Sequence, residues 1–227
     1  MAYDFDKLVD RHGTNCGKWE FMPVQNPNAG TSTLPFWVAD MDFPCPDGVV
    51  EALHKRVDRQ IFGYSANLTG EFFRSICGWY QHRFGWYVNS KDVFYCNGIV
   101  PALRYLIQIM THEGDQVLVQ PPVYRPFYNK IRCTHRVPVE NRLVEGSEGS
   151  EIDFTDFEKK VKDPKTTLFL LCSPHNPVAH VWREAELLSR KISQMEVDYF
   201  YVSSLGRAKD TASLTLQKMG RTATECK

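Results

Sequence analysis

Thr167-Leu-Phe-Leu-Leu-Cys-Ser-Pro-His-Asn-Pro-Val-Ala-His-Val-Trp182 is the stretch on which the reading of this chain turns. Leu168 to Cys172 is a continuous apolar run, of the length and composition of a strand buried on both faces of a parallel sheet. It stops at Ser173-Pro174-His175-Asn176-Pro177, where two prolines bracket a histidine and an asparagine and fix the backbone just past the strand end. Ligands bind at that place in open α/β sheets. Trp182-Arg183-Glu184-Ala185-Glu186-Leu187-Leu188 then predicts a helix with acidic residues in its early turns.

The same alternation extends upstream. Ile152 to Val161 predicts a helix capped by Asp153 or Thr155, and Glu145-Gly146-Ser147-Glu148-Gly149-Ser150 a flexible surface loop. Strands are predicted at Thr134 to Val139, at Gln116 to Val119 and, closed by Asn97-Gly98, at Phe94-Tyr95-Cys96. A short helix follows Pro126, and another spans Val100 to Met110 with Pro101 in its first turn, where a missing N–H costs nothing. Phe72, Phe73, Ile76, Trp79, Tyr80 and Phe84 mark a helix from Gly70 to Phe84, and Val49, Val50, Leu53 and Val57 one from about Asp47. Strands separated by helices predict an α/β fold of three layers, α/β/α, with a mainly parallel sheet.

Both ends depart from that pattern. Residues 1–48 form an arm rich in turns that carries Trp19, Phe36, Trp37 and Phe43, aromatics expected to be buried against the main domain or a partner subunit. Residues 49–202 form the main domain, with Val197 to Val202 as a further strand. From Ser203 to Lys227 the chain is rich in Ser, Thr, Lys and Arg and has no valine. An α/β sheet does not end that way, so truncation or a frameshift after about residue 188, leaving the sheet incomplete, is the expectation.

Lys plus Arg and Asp plus Glu number 27 each, so no field of one sign points to nucleic acid or an anionic membrane. Cysteines 16, 45, 77, 96, 133, 172 and 226 are odd in number and scattered, which reads as buried cytosolic thiols rather than disulfides or a metal cluster. No window approaches a membrane span and the N-terminus has no signal-peptide pattern, so a soluble cytoplasmic protein is expected.

Three places put chemistry beyond strand ends. Asn97-Gly98-Ile99-Val100-Pro101 leads into a helix N-terminus, which suits a phosphate or serves as a plain turn. Tyr124, after Pro121-Pro122, offers a ring to a flat heteroaromatic ligand or to the core. Asn176 offers its amide to a ligand oxygen or to its own turn, and His175 reads as a turn or packing residue rather than a base.

Pro174-His175-Asn176-Pro177, Phe36-Trp37-Val38-Ala39-Asp40-Met41-Asp42-Phe43, Gly63-Tyr64 and Gln120-Pro121-Pro122-Val123-Tyr124-Arg125-Pro126-Phe127 together resemble the class I/II aminotransferase superfamily, in its cystathionine beta-lyase (C-S lyase) branch. The resemblance runs from Phe5 to about Leu188. It implies the large domain of a fold-type I pyridoxal-phosphate enzyme, normally a homodimer, acting on a small sulfur amino acid. It implies that Ile99 and Val100 give N–H groups to the cofactor phosphate, that Tyr124 stacks on the ring and that Asn176 bonds the ring's phenolic oxygen. Tyr64 would reach the partner subunit's phosphate, while Trp37, Val38, Ala39 and Asp40 would line the substrate entrance.

The departures from the family are specific. Its loop continues Pro-His-Asn-Pro-x-Gly-Arg, whereas Ala179 and His180 stand here in place of the glycine and arginine. If that glycine has positive φ, Ala179 costs about a kcal/mol or slightly more. Ser204 stands where an aspartate should pair with the ring nitrogen, and neither Lys209 nor Lys218 lies in the Ser-x-x-Lys register of the Schiff-base lysine. The small C-terminal domain, with the arginine that grips the substrate carboxylate, is expected to be absent. The expectations are therefore a C-S β-lyase whose activity is impaired in this chain, an aminotransferase, or a non-catalytic binding or dimerising remnant. Neither a catalytic residue nor a metal site is assigned.

Overall fold

The computed structural model describes residues 4–30, 32–66, 70–147 and 149–182, in two compact units that divide at residue 70. The first unit holds helices α1 (Gly17–Glu20), α2 (Met22–Gln25) and α3 (Asp47–Val57). The predicted helix after Pro46 is present, with Asp47 in its first turn and His54, Lys55 and Arg56 in its last, as the helix dipole favours. Within this unit Phe36 is 89% exposed, and Trp37 and Phe43 are about half exposed. Helices of four residues supply no apolar seat, and the arm is held instead by a network of charges around Asp40 and Asp42, described below.

The second unit begins with α4 (Glu71–Phe84), which ends at Gly85 in the left-handed region (φ 61°), where the Gly85 and Trp86 N–H groups donate to the carbonyls of Gln81 and Tyr80. Phe94-Tyr95-Cys96 is not the predicted strand. Its backbone pairs with no strand among the described residues, and Phe94 and Tyr95 are exposed, because an apolar triplet becomes a strand only when a neighbour takes its N–H and C=O groups. Next come α5 (Ile99–Met110), β1 (Gln116–Val119), α6 (Pro126–Cys133) and β2 (Val137–Glu140). The chain continues through β3 (Leu143–Gly146), β4 (Gly149–Ile152), α7 (Phe154–Val161) and β5 (Thr166–Phe169). Of the loop expected at 145–150, Glu145 and Gly146 end β3 and Gly149 (φ 114°) and Ser150 begin β4, in a hairpin registered Leu143 to Ile152. Asp153 caps α7, accepting from the Asp156 N–H.

The sheet order is β2-β1-β5, all parallel, with Leu118 opposite Val139 on one side and Phe169 on the other. Alternate side chains separate its two faces. Val117 and Val119 join Ile107 of α5 and Phe127 and Ile131 of α6 in one core, with Leu168, Leu170 and Cys172 packed against it. Leu118 meets Phe157 of α7 in the other, with Val139, Phe169 and Leu171. This is the three-layer α/β/α arrangement with a parallel sheet. One detail differs: Leu168 to Cys172 is half-buried, and the strand buried on both faces is β1, because β1 lies between two neighbours whereas β5 has one among the described residues.

The thiols also differ from expectation. Among the described residues cysteines 16, 45, 77, 96, 133 and 172 are free, but Cys16 alone is buried; Cys45 lies between two prolines in the arm and Cys133 at the exposed end of α6.

Candidate functional site

The orientation of α5 follows from its far end. Arg136, just before β2, donates to the carbonyl of Thr111 (2.5 Å) and to its hydroxyl (2.9 Å), immediately past the end of α5. The carboxyl end of α5 therefore lies at the amino ends of the strands. Because Leu103 and Ile107 pack along Val117 and Val119, the helix runs back over the sheet and its first turn lies at the strands' carboxyl ends.

That first turn opens at Gly98, with φ 106° and ψ 167°, a conformation essentially reserved for glycine. Ala102 makes the first intrahelical bond, to Gly98 O (3.2 Å), and among the described residues no side chain caps the helix. The N–H groups of Ile99 and Val100 are thus the free donors of the helix end, with the positive end of the dipole behind them. A Cβ on Gly98 would meet nothing closer than Pro101 Cδ at 4.0 Å, so the approach is open.

The chain leaves β1 as Gln120-Pro121-Pro122-Val123-Tyr124. Gln120 is buried, and its Nε2 donates to Asn141 Oδ1 (3.0 Å). Asn141, fully buried, donates in turn to Asp153 O (3.0 Å) and Asp156 Oδ2 (2.9 Å), and Lys160 donates to Asp156 Oδ2 (2.7 Å) and to Glu140 O. Burial works to raise the Asp156 carboxyl, but hydrogen bonds from Lys160 and Asn141 outweigh it and hold it below its ordinary range. This chain of side chains ties the exit of β1 to α7. Tyr124, 38% exposed, leans edge-on against Phe127, with ring centroids 5.9 Å apart.

The exit of β5 is bound to the same place. His175 is 1% exposed, and its Nε2 lies 3.0 Å from Pro122 O. Burial drives its pKa below the ordinary value against the raising effect of the Pro122, Gln120 and Cys172 carbonyls, so the ring is neutral and its proton sits on Nε2, donating to Pro122. Its backbone N–H donates to His180 O (2.7 Å). Trp182, buried, meets the ring edge-on at 5.2 Å and donates its indole N–H to Cys172 O (2.9 Å). The backbone N–H of Asn176 donates to Cys172 Sγ (3.5 Å), and its side chain is exposed. Ala179, in the place of the family's glycine, has φ 54°.

Ile99, Val100, Tyr124 and Asn176 thus gather at the carboxyl end of one parallel sheet. Tyr64 and Trp37 to Asp40 belong to the other unit. Tyr64 is fully exposed, with φ 30°. Trp37 donates its indole N–H to Lys18 O (3.1 Å); Arg11 pairs with Asp40 (2.8 Å) and Asp42 (2.9 Å), and Lys18 with Asp42 (2.6 Å). The guanidinium of Arg11 keeps Asp40 ionised below its usual range; hydrogen bonds from Lys18 and then Trp19 bring Asp42 to about 2. Val197 to Val202, Ser204, Lys209, Lys218 and the helix expected after Trp182 lie outside the described residues. Among the described residues no cluster of His, Cys, Asp and Glu could hold a metal, and no helix is long and apolar enough to cross a membrane.

Two features escaped the sequence reading: the buried line from Gln120 through Asn141 to Asp156, and the full burial of His175. Gln120, polar at the end of an apolar run, carried a signal for the first.

Residues 34–193 match the family described as Aminotransferase class I and II. The chain is 43% identical over 185 residues to cystathionine beta-lyase PatB of Bacillus subtilis (strain 168), covering 82% of this chain and 47% of that one. Protein MalY of Escherichia coli (strain K12) is 32% identical over the same shares. Among solved structures, cystalysin from Treponema denticola, which contains a pyridoxal 5'-phosphate cofactor, superposes with a TM-score of 0.77 at 29% identity, covering 94% of this chain and 58% of that one. This chain spans about half the length of the curated relatives it matches. The chain belongs to the class I and II aminotransferase family of fold-type I pyridoxal-phosphate enzymes, on its cystathionine beta-lyase side.

Proposed function

We propose that this chain is the cofactor-binding part of a pyridoxal-phosphate-dependent carbon–sulfur β-lyase, which cleaves cystathionine or a cysteine conjugate with water to a thiol, pyruvate and ammonia. The observation that carries the reading is the convergence of an uncapped helix start, an exposed tyrosine ring and an exposed asparagine amide at the carboxyl end of one sheet. The residues fit the cofactor. Ile99 and Val100 would donate backbone N–H groups to its phosphate, with no side chain of α5 competing. Tyr124 would lie against the ring, and Asn176 would donate its amide to the ring's phenolic oxygen. When bound, pyridoxal phosphate supplies an electron sink for charge developing at the substrate's α-carbon.

The arm's Trp37, Val38, Ala39 and Asp40 would line the substrate entrance, and Tyr64 would serve the site of a second copy in a homodimer. Asp40 and Asp42 are paired with Arg11 and Lys18 within the arm, so their negative charge would not repel a substrate carboxylate. Turnover is expected to be weak. Ser204 and His180 stand where the family pattern has an acid and an arginine.

The test is titration of the purified chain with pyridoxal phosphate by absorbance, borohydride reduction with peptide mapping, and an assay for thiol and pyruvate from cystathionine. Saturable binding that Tyr124→Ala and Asn176→Ala both weaken is expected. Absence of saturable binding refutes the reading, and transfer of the amino group to a 2-oxo acid without thiol release turns it into an aminotransferase.

A further inference from the structure

We propose that His175 is a positioning residue that sets the separation between the tyrosine and the asparagine of the site, by donating its one imidazole proton across the gap between the loops that leave β1 and β5. The inference rests on the cofactor reading above and extends it to a residue that touches no ligand. Tyr124 lies two residues beyond Pro122, the acceptor, and Asn176 is the next residue after His175, the donor. A single bond of 3.0 Å therefore joins the supports of the two side chains meant to hold opposite aspects of one ring.

Three observations make the link a built one. The ring is 1% exposed, so the bond has no competing solvent. Trp182 packs edge-on against it and is itself anchored to Cys172 O, which fixes the ring plane. The backbone N–H of His175 closes the loop onto His180 O at 2.7 Å, so the histidine is held at both its main chain and its side chain. Among the described residues its Nδ1 has no hydrogen-bond partner. Phenylalanine would fill the same space against Trp182; what it lacks is the proton to Pro122.

The test compares the full chain with His175→Phe, which keeps the ring shape and removes the donor, and His175→Gln, which keeps an N–H donor. Pyridoxal phosphate affinity is measured by absorbance, and inorganic phosphate affinity by competition. His175→Phe is expected to weaken pyridoxal phosphate about tenfold, the loss of one buried hydrogen bond, and to leave inorganic phosphate within about twofold, since a free phosphate needs only the α5 terminus. His175→Gln should restore binding to within about threefold. Equal losses for both ligands would mean general damage to the fold and overturn the proposal, as would undiminished pyridoxal phosphate binding by His175→Phe or failure of His175→Gln to restore it. If His175→Phe does not fold, His175→Gln decides alone: native affinity supports the donor role and a tenfold loss defeats it.

Amide hydrogen exchange supplies a readout that needs no ligand. In His175→Phe the hydrogen-bonded amides of Phe127 and Leu143, which donate to Tyr124 O and Pro121 O, and of Asn176, which donates to Cys172 Sγ, should exchange about tenfold faster with those of α7 unchanged; unchanged exchange at both loops overturns the proposal. Wild-type chain that binds no pyridoxal phosphate defeats the functional reading, while the exchange measurement still decides whether His175 couples the loops.

Discussion

Replacing Ala179 by glycine should stabilise the protein. The alanine sits at φ 54° in the turn between His175 and His180, exposed and followed by the buried Trp182. An L-residue with a Cβ pays about 1–2 kcal/mol in the left-handed region. Against this, glycine carries about 0.4–1 kcal/mol more chain entropy in the unfolded state. The net gain is about 0.5–1 kcal/mol, or a rise of about 1–4 °C in Tm for a chain of this size. Chemical denaturation followed by tryptophan fluorescence reports directly, because Trp182 lies at the end of the same turn. Ala179→Val is the opposing control, since a β-branched residue suffers more in this region. A midpoint that stays put or falls in Ala179→Gly, or an Ala179→Val as stable as the wild type, would refute the reasoning and mean that the turn does not hold a positive φ at this position.

Gly98→Ala should cost about 1–3 kcal/mol in a thermal melt, since φ 106° with ψ 167° excludes a Cβ, and should weaken phosphate binding measured by competition. Asp42, held at about 2 by Lys18 and then Trp19, has a folded pKa below its unfolded value of about 3.9, so its contribution is present above about pH 4 and is lost as pH falls toward 2; Asp42→Asn should flatten the acid titration of tryptophan fluorescence across that window. Tyr128, pushed up to about 12 by burial and its hydrogen bond to Glu140 (2.8 Å), behaves oppositely: its contribution is complete below about pH 10 and disappears as pH rises through 12, so Tyr128→Phe should lack that alkaline loss in stability measured against pH.

The elements that were legible in the sequence are those whose own residues carry the reason for them. Gln116 to Val119 is an apolar run after a glycine turn, α5 begins with Pro101 after Gly98, and α7 starts at a capping aspartate; each survives in the structure nearly residue for residue. Phe94 to Cys96 failed because apolar composition does not supply a pairing partner. The 145–150 segment failed for the converse reason. Its Gly, Ser and Glu content reads as loop, yet Leu143 to Gly146 pairs antiparallel with Gly149 to Ile152, and that ladder, not composition, decides the structure. The positions of Tyr124 and Asn176 at one end of the sheet were legible because they follow the runs that become β1 and β5, and those of Ile99 and Val100 because Gly98 and Pro101 mark a helix start, although the strand expected before them is not formed. The supports beneath them were not, since Gln120 and Asn141 are 21 residues apart, and His175 and Pro122 53, and polar pairs carry no periodicity to betray them.

The place of β1 between β2 and β5 also orders events during synthesis. As the chain emerges from the ribosome, β1 can find β2 after little more than one helix, but its other edge stays open until residue 166 has been made, 50 positions beyond its first residue. During that interval α6, β2, the hairpin and α7 are already available, while the row of N–H and C=O groups on β1 that β5 will occupy remains exposed to any passing extended segment. The late strand is therefore the one whose arrival covers the second edge of β1, and it carries Ser173 to Asn176 directly behind it, so the β5 loop of the candidate site is laid down only when that edge of β1 is paired.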